Sequence, residues 1–253
     1  MRKTLMSLLL LAALIPIVTA CETAEAQKKK KDEAAIHYRM GVIHLNDREY
    51  VDALKELTLA AEQNPEDPSY HNALGLAYFA RGLYAEAERE EKRAIEIDPK
   101  FSEAHVNLAA VYLNERRFDD AIAASREALK NVFYGTPELA HANIGWASYY
   151  KGEYEAAGAA FKKTVEANGY YYPGFYGMGS ALEKKGDVKA ALEAYQQAVK
   201  LAPDYLDAEL ALGLALIKLK DNPGAVKALE KLIAAAPDSA QAKSAKEYLN
   251  LIK

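Results

Sequence analysis

Residues 68–99 read PSYHNALGLAYFARGLYAEAEREEKRAIEIDP, and the skeleton of this stretch is Gly75, Tyr78, Ala87, Ala94 and Pro99. The same skeleton recurs along most of the chain. Its first small position is held by Gly41, Gly75, Ala109, Gly145, Gly179 and Gly213, at spacings of 34, 34, 36, 34 and 34 residues. A second small position keeps step at Ala53, Ala87, Ala121, Ala157, Ala191 and Ala225, and proline closes four units at Pro65, Pro99, Pro203 and Pro237. A fixed period of this length marks a helical solenoid, whose units are helix pairs that cannot bury their apolar sides alone. Small residues at Gly75 and Ala87 let the two helices of one unit cross at close range. Leu74, Tyr78, Tyr84 and Ile95 are expected to fill the volume beside that crossing, and Pro99 to stop the second helix.

With small, aromatic, small and proline positions at this spacing, the units resemble the tetratricopeptide repeat over about residues 34–239. The resemblance implies an all-α fold, a right-handed superhelical solenoid of six helix pairs at 34–67, 68–101, 102–137, 138–171, 172–205 and 206–239. Residues 240–253 place Ala242, Ala245, Leu249 and Ile252 on one helical face with lysines elsewhere. That pattern suits a capping helix, which must turn a polar side outward. Asp32 is the expected N-cap of the first helix and Asn64-Pro65 the stop of its pair. The third junction, Asn131 to Thr136, carries two extra residues, and Thr136-Pro137-Glu138 predicts a helix start with a capping hydroxyl and proline in the first turn.

The amino terminus carries a second signal. Met1-Arg2-Lys3 is followed by a largely apolar run from Leu5 to Val18, too short and too soon followed by charge for a membrane span. It ends at Val18-Thr19-Ala20-Cys21, and Cys21 is the single cysteine of the chain. This resembles a bacterial lipobox: a signal peptide over 1–20, cut before a cysteine that is then acylated. The alternative is an ordinary secretory peptide cut after Ala20. A lone cysteine excludes an internal disulfide. Several acyl chains hold firmly where one holds marginally. By resemblance to proteobacterial lipoproteins, Glu22 after the cysteine favours the outer membrane over the inner. Residues 21–33, polar and containing Lys28 to Lys31, are expected to form a solvated tether. Ten extended residues reach at most roughly 35 Å, which keeps the first repeat near the membrane.

Composition narrows the chemistry. Beyond residue 20 the chain has 30 basic against 36 acidic side chains, with no basic stripe to grip a phosphate backbone, so nucleic acid is not an expected partner. His37, His71, His105 and His141 occupy one repeat position. Equivalent positions of packed helices lie on the order of 10 Å apart, too far for one ion to bridge. The histidines are therefore read as packing residues and no metal site is expected. Gly177-Met178-Gly179-Ser180 lies inside a helix pattern and lacks the strand and lysine of a phosphate loop. No nucleophile elbow, zinc-helix or paired-cysteine motif is present, so no catalytic residue, cofactor or small-molecule substrate is expected.

What remains is a surface. In tetratricopeptide repeats the first helix of each pair faces a concave groove, and the corresponding positions here are Tyr38, Leu45, Asn72, Leu76, Phe79, Val106, Asn107, Asn114, Asn143, Trp146, Tyr149, Tyr150 and Tyr176. The nine expected to carry binding are Tyr38, Asn72, Leu76, Phe79, Asn107, Asn143, Trp146, Tyr149 and Tyr176. Aromatic and aliphatic groups suit an apolar peptide, while the asparagines suit its backbone. The alternative for each is packing between neighbouring helices. The basic clamp of chaperone-adaptor repeats is missing, because its positions are Tyr38, Asn72 and Asn107.

Lipobox, short tether, six repeats and the lengthened junction Val132-Phe133-Tyr134-Gly135-Thr136-Pro137-Glu138-Leu139 together resemble the pilotin family of type IV pilus assembly, the PilF, PilW and Tgl group. The resemblance implies a non-enzymatic outer-membrane lipoprotein facing the periplasm. Such a protein captures secretin subunits and promotes assembly of the secretin pore needed for pilus biogenesis and twitching-type motility. It places the first contact at Tyr38, Asn72, Leu76 and Phe79, and the second at Trp146 and Tyr149. The alternative reading is an outer-membrane scaffold lipoprotein that recruits cell-wall enzymes.

Overall fold

The computed structural model describes residues 25–252, so the expected signal peptide, Cys21 and its acylation lie outside the described residues. Among the described residues there are thirteen helices and no strand: α1 (25–46), α2 (Tyr50–Gln63), α3 (Pro68–Ala80), α4 (Tyr84–Ile97), α5 (Ser102–Asn114), α6 (Phe118–Ala128), α7 (Pro137–Tyr150), α8 (Tyr154–Ala167), α9 (Tyr172–Lys184), α10 (Val188–Leu201), α11 (Leu206–Lys218), α12 (Asn222–Ala235) and α13 (Ala240–Ile252). The chain divides into two compact units, one up to Asn107 and one from Leu108. Within the first, α3 packs on α2 and α4; within the second, α6 to α13 pack in sequence order.

The helix crossings follow one rule. Sixteen residues after each small position stands its partner on the second helix: Leu57, Glu91, Ser125, Phe161, Tyr195 and Leu229. A Cβ added at Gly41, Gly75, Gly145, Gly179 or Gly213 would come within 2.5–2.7 Å of Leu57, Glu91, Phe161, Tyr195 or Leu229 respectively. Only in the third pair is the small position Ala109, and there the partner is Ser125. The two sites thus trade volume, and glycine appears where its partner is large. Gly75 is filled by the Glu91 side chain rather than by Leu74, Tyr78, Tyr84 or Ile95 alone.

Two boundary expectations are corrected. Residues 25–33 are helical and largely exposed, continuous with the rest of α1, so Asp32 lies within a helix and is not its N-cap. No glycine or proline interrupts 25–40, and Glu, Ala, Gln and Lys are strong helix formers, so the polar tract extends α1 by about 1.5 Å per residue instead of spanning as extended chain. At the third junction, helix α7 does start at Pro137 with Thr136 in the N-cap position. The Thr136 hydroxyl makes no capping bond, with its backbone at φ −131°, ψ 58°. Working caps are instead Asp67 to the Ser69 amide, Asp187 to the Ala190 amide and Asp221 to the Gly224 amide.

The five inter-pair junctions and the junction before α13 share a turn in which the fourth residue's amide donates to the first residue's carbonyl at 3.1–3.3 Å. Its third residue is Glu66, Lys100, Asp204 or Asp238 in four of them, but Phe133 and Tyr170 in the third and fourth. These two side chains are 91% and 84% exposed, held on ordered turns by Asn131 and Asn168 side chains that accept the Phe133 and Tyr170 amides. Helix α13 closes the second unit as expected: Ala242, Ala245 and Leu249 are buried against Leu229 and Leu232, with Ile252 beside them.

Candidate functional site

Each of the nine groove positions is half-buried in the structure; none is sealed in a core and none stands free. They separate into two sets, one in each unit.

In the first unit, Tyr38 on α1 stacks on Tyr70 of α3 at 4.9 Å and packs against the core of that unit, as does Leu45. Phe79 leans on Tyr84 at 5.6 Å. Asn107 donates from Nδ2 to Oδ1 of Asn72 at 2.7 Å, so each amide spends part of its capacity on the other. Val106 is buried and is a packing residue. Beneath this face lies Glu91, 1% exposed, whose oxygens have no well-aligned hydrogen-bond partner. Burial drives its carboxyl well above the usual range; the Asn107 amide works the other way but offsets only part of this.

Two of the histidines, His37 and His71, are tied into helix crossings. His37 Nδ1 meets Glu56 at 2.6 Å, and His105 Nε2 meets the Pro99 carbonyl at 3.0 Å. His71 faces acceptors on both sides, Glu90 at 2.8 Å and the Pro65 carbonyl at 3.0 Å. Two acceptors demand two N–H donors, which only the imidazolium has. Burial pulls the His71 pKa down, but these two hydrogen bonds outweigh it and hold the value above normal. The shallow depression on this side, formed by His71 and the α4 side chains, is lined by charges that satisfy one another: Lys92 with Glu88 at 2.7 Å and Arg93 with Glu66 at 2.8 Å.

In the second unit, Trp146 is a hub. Its ring lies 5.7 Å from Tyr149, 6.0 Å from Tyr150, 5.0 Å from Phe161 and 6.0 Å from Tyr176. Tyr150 stacks in turn on Phe118 at 5.6 Å, and Tyr176 on its other side meets Tyr205 at 5.3 Å. Trp146 and Tyr150, one helical turn apart, share a face of α7, and Asn143 lies three residues before Trp146. Burial raises the phenol pKa of Tyr149 and Tyr176, so both stay neutral hydrogen-bonding groups across the physiological range. An open depression of about 550 Å³ sits against this ladder, lined by Leu113, Asn114, Arg116, Phe118, Trp146 and Tyr150. Its size falls within the roughly 300–1,000 Å³ typical of ligand sites.

Sequence positions therefore located Trp146 and its neighbours, while Leu113, Arg116 and Phe118 were missed. Arg116 occupies the turn between α5 and α6 at φ 61°. The equivalent residues are Gly82, Gly152 and Gly186 in the second, fourth and fifth pairs and Arg48 and Lys220 in the first and sixth, all with positive φ. A non-glycine residue there costs roughly 1–2 kcal/mol, and because Arg48 and Lys220 also occupy this position, no signal in the sequence pattern singled out Arg116.

Tetratricopeptide repeat models match residues 38–100 and 176–240, and a second such model matches 92–123. No curated protein matches the chain by sequence. Among solved structures, PilW, described as a widely conserved type IV pilus biogenesis factor, superposes with TM-score 0.77 at 19% identity, over 83% of this chain and 97% of PilW. PilF of Pseudomonas aeruginosa superposes with TM-score 0.75 at 17% identity, over 87% of this chain and 99% of PilF. YrrB, described as having an unusual peptide-binding site, gives TM-score 0.56 at 20% identity, over 76% of this chain and 97% of its own. At these identities the likeness concerns the fold. Repeat period, paired helices and family models agree: the chain belongs to the tetratricopeptide repeat family.

Proposed function

We propose that the protein is an outer-membrane lipoprotein of type IV pilus biogenesis that binds secretin subunits and promotes assembly of the secretin pore. The observation that carries this reading is the likeness to PilW and PilF across 97% and 99% of those chains. What sets these two apart from YrrB is the TM-score, 0.77 and 0.75 against 0.56. The lipobox-like Val18-Thr19-Ala20-Cys21 adds to it, since acylation of Cys21 would hold the repeats at the membrane where a secretin inserts. The protein acts by binding. Its half-buried aromatic and asparagine side chains form surfaces suited to an extended or helical segment of another polypeptide.

The experiment is deletion of the gene followed by immunoblotting of outer-membrane fractions for heat-resistant secretin multimers. Loss of multimers, restored by the wild-type gene but not by a Cys21→Ser form, is the expected result. Normal multimers in the deletion strain would end the proposal. Purified complexes containing cell-wall enzymes in place of secretin would favour the scaffold alternative.

A further inference from the structure

We propose that the exposed aromatics of the third and fourth junctions, Phe133 and Tyr170, form a membrane-contact patch that enters the head-group region of a phospholipid bilayer. The proposal rests on the lipoprotein reading above, which brings the chain to such a surface. Asn131 and Asn168 brace the two turns, their side chains accepting the Phe133 and Tyr170 amides at 3.0 Å. Tyr134, next along the third junction, is buried and pins that turn. Asn168 also donates from Nδ2 to Oε1 of Glu138 at 3.0 Å, and Glu138 opens α7 directly after the third junction. The two turns therefore lie side by side on one edge of the second unit. Val132, 85% exposed, stands beside Phe133 where four junctions have proline.

The turn itself does not require apolar groups in water, since Glu66, Lys100, Asp204 and Asp238 serve the same position elsewhere. Among the described residues neither ring stacks on another, and both project from turn tips. Protein contacts are dominated by aromatics clamped in packed pockets. A bilayer interface accepts protruding aromatics one by one, without matching walls. Nearby charge agrees with phosphate head groups. Residues 125–141 and 162–175 carry Arg126, Lys130, Lys162 and Lys163 against Glu127, Glu138 and Glu166, and Glu138 is buried against Asn168. Lys130 pairs with Glu127 at 2.7 Å and Lys162 with Glu166 at 3.7 Å, leaving Arg126 and Lys163, both exposed, as the surplus. A patch this small binds weakly alone. On a chain already held by acyl groups, high effective concentration makes it sufficient to set orientation.

Full-length protein purified from membranes is reconstituted in vesicles of phosphatidylethanolamine and phosphatidylglycerol, with and without lipids brominated near the head-group end of their acyl chains. Phe133→Trp and Tyr170→Trp each add one reporter to Trp146 and, at exposed positions, should melt like wild type. Brominated lipid is expected to quench about half of the added emission at either site, because interfacial burial reaches roughly 5–10 Å into the head-group and acyl boundary, and to leave wild-type emission unchanged. If floated protein shows no added quenching at either site, the patch stays in water and the inference is overturned with the anchor intact. Added emission that ignores brominated lipid but shifts when purified secretin is supplied would make the patch a protein contact and overturn it equally. Protein that does not float with vesicles in a density gradient would end the lipoprotein reading and this inference together.

Discussion

Two buried ionisable side chains in the first unit, His71 held charged and Glu91 held neutral, both weaken the fold as pH rises. His71 is held charged, so its folded pKa lies above its unfolded one, and the stability it adds is complete below about pH 6.5 and fades as pH rises through the folded value. NMR titration should find the His71 imidazole still protonated above pH 6.5, and Glu90→Gln should bring the value down. Glu91 also has a raised pKa, so its contribution is most favourable below about pH 4.5 and falls as pH rises. At neutral pH the burial of a poorly partnered carboxyl is a cost. Leucine fills the equivalent place opposite Gly41 and Gly213. Glu91→Leu should therefore raise stability by about 1–3 kcal/mol at pH 8, with a smaller gain at pH 4.5, read by urea denaturation. An unchanged difference across pH would mean the carboxyl is solvated.

Helix pairs are governed by the crossing rule rather than by propensity. Alanine is a better helix former than glycine by about 1 kcal/mol, so Gly145→Ala in an open site would stabilise. Here the new Cβ would lie 2.7 Å from the Phe161 ring, which is fully buried and packed against Trp146. Overpacking should reverse the sign, giving a net loss of about 1–3 kcal/mol in denaturant unfolding and a disturbed Trp146 emission. Ala109→Gly opposite Ser125 removes a fully buried methyl as well as helix propensity and should cost about 1–2 kcal/mol. A gain in stability from Gly145→Ala would refute the volume exchange.

Across the molecule, stability is a sum over neighbouring pairs, so an end needs a cover. Removing α13 would expose Leu229 and Leu232, both essentially without solvent contact, together with the apolar edge of α11 and α12. Truncation after Ser239 is expected to lower the melting temperature, increase binding of a hydrophobic dye and promote self-association. A truncated chain that melts like the intact one would show the cover to be unnecessary.

Period and proline positions by themselves determined the paired helices, the register of the small residues and the capping face of α13, because each depends on spacing along a regular backbone. The helical start of α1 was also written there in an uninterrupted run of helix formers, but a run of lysines reads equally as loose chain until its continuity with a packed helix is seen. Tertiary structure alone decided which side chain fills each glycine notch, since Gly75 and Glu91 lie on different helices. The same holds for the pairing of Asn72 with Asn107 and for the meeting of Leu113, Arg116 and Phe118 with Trp146. Periodicity names the face a residue occupies; which neighbour it meets is set by how the next helix crosses, and chemistry at a surface depends on that meeting.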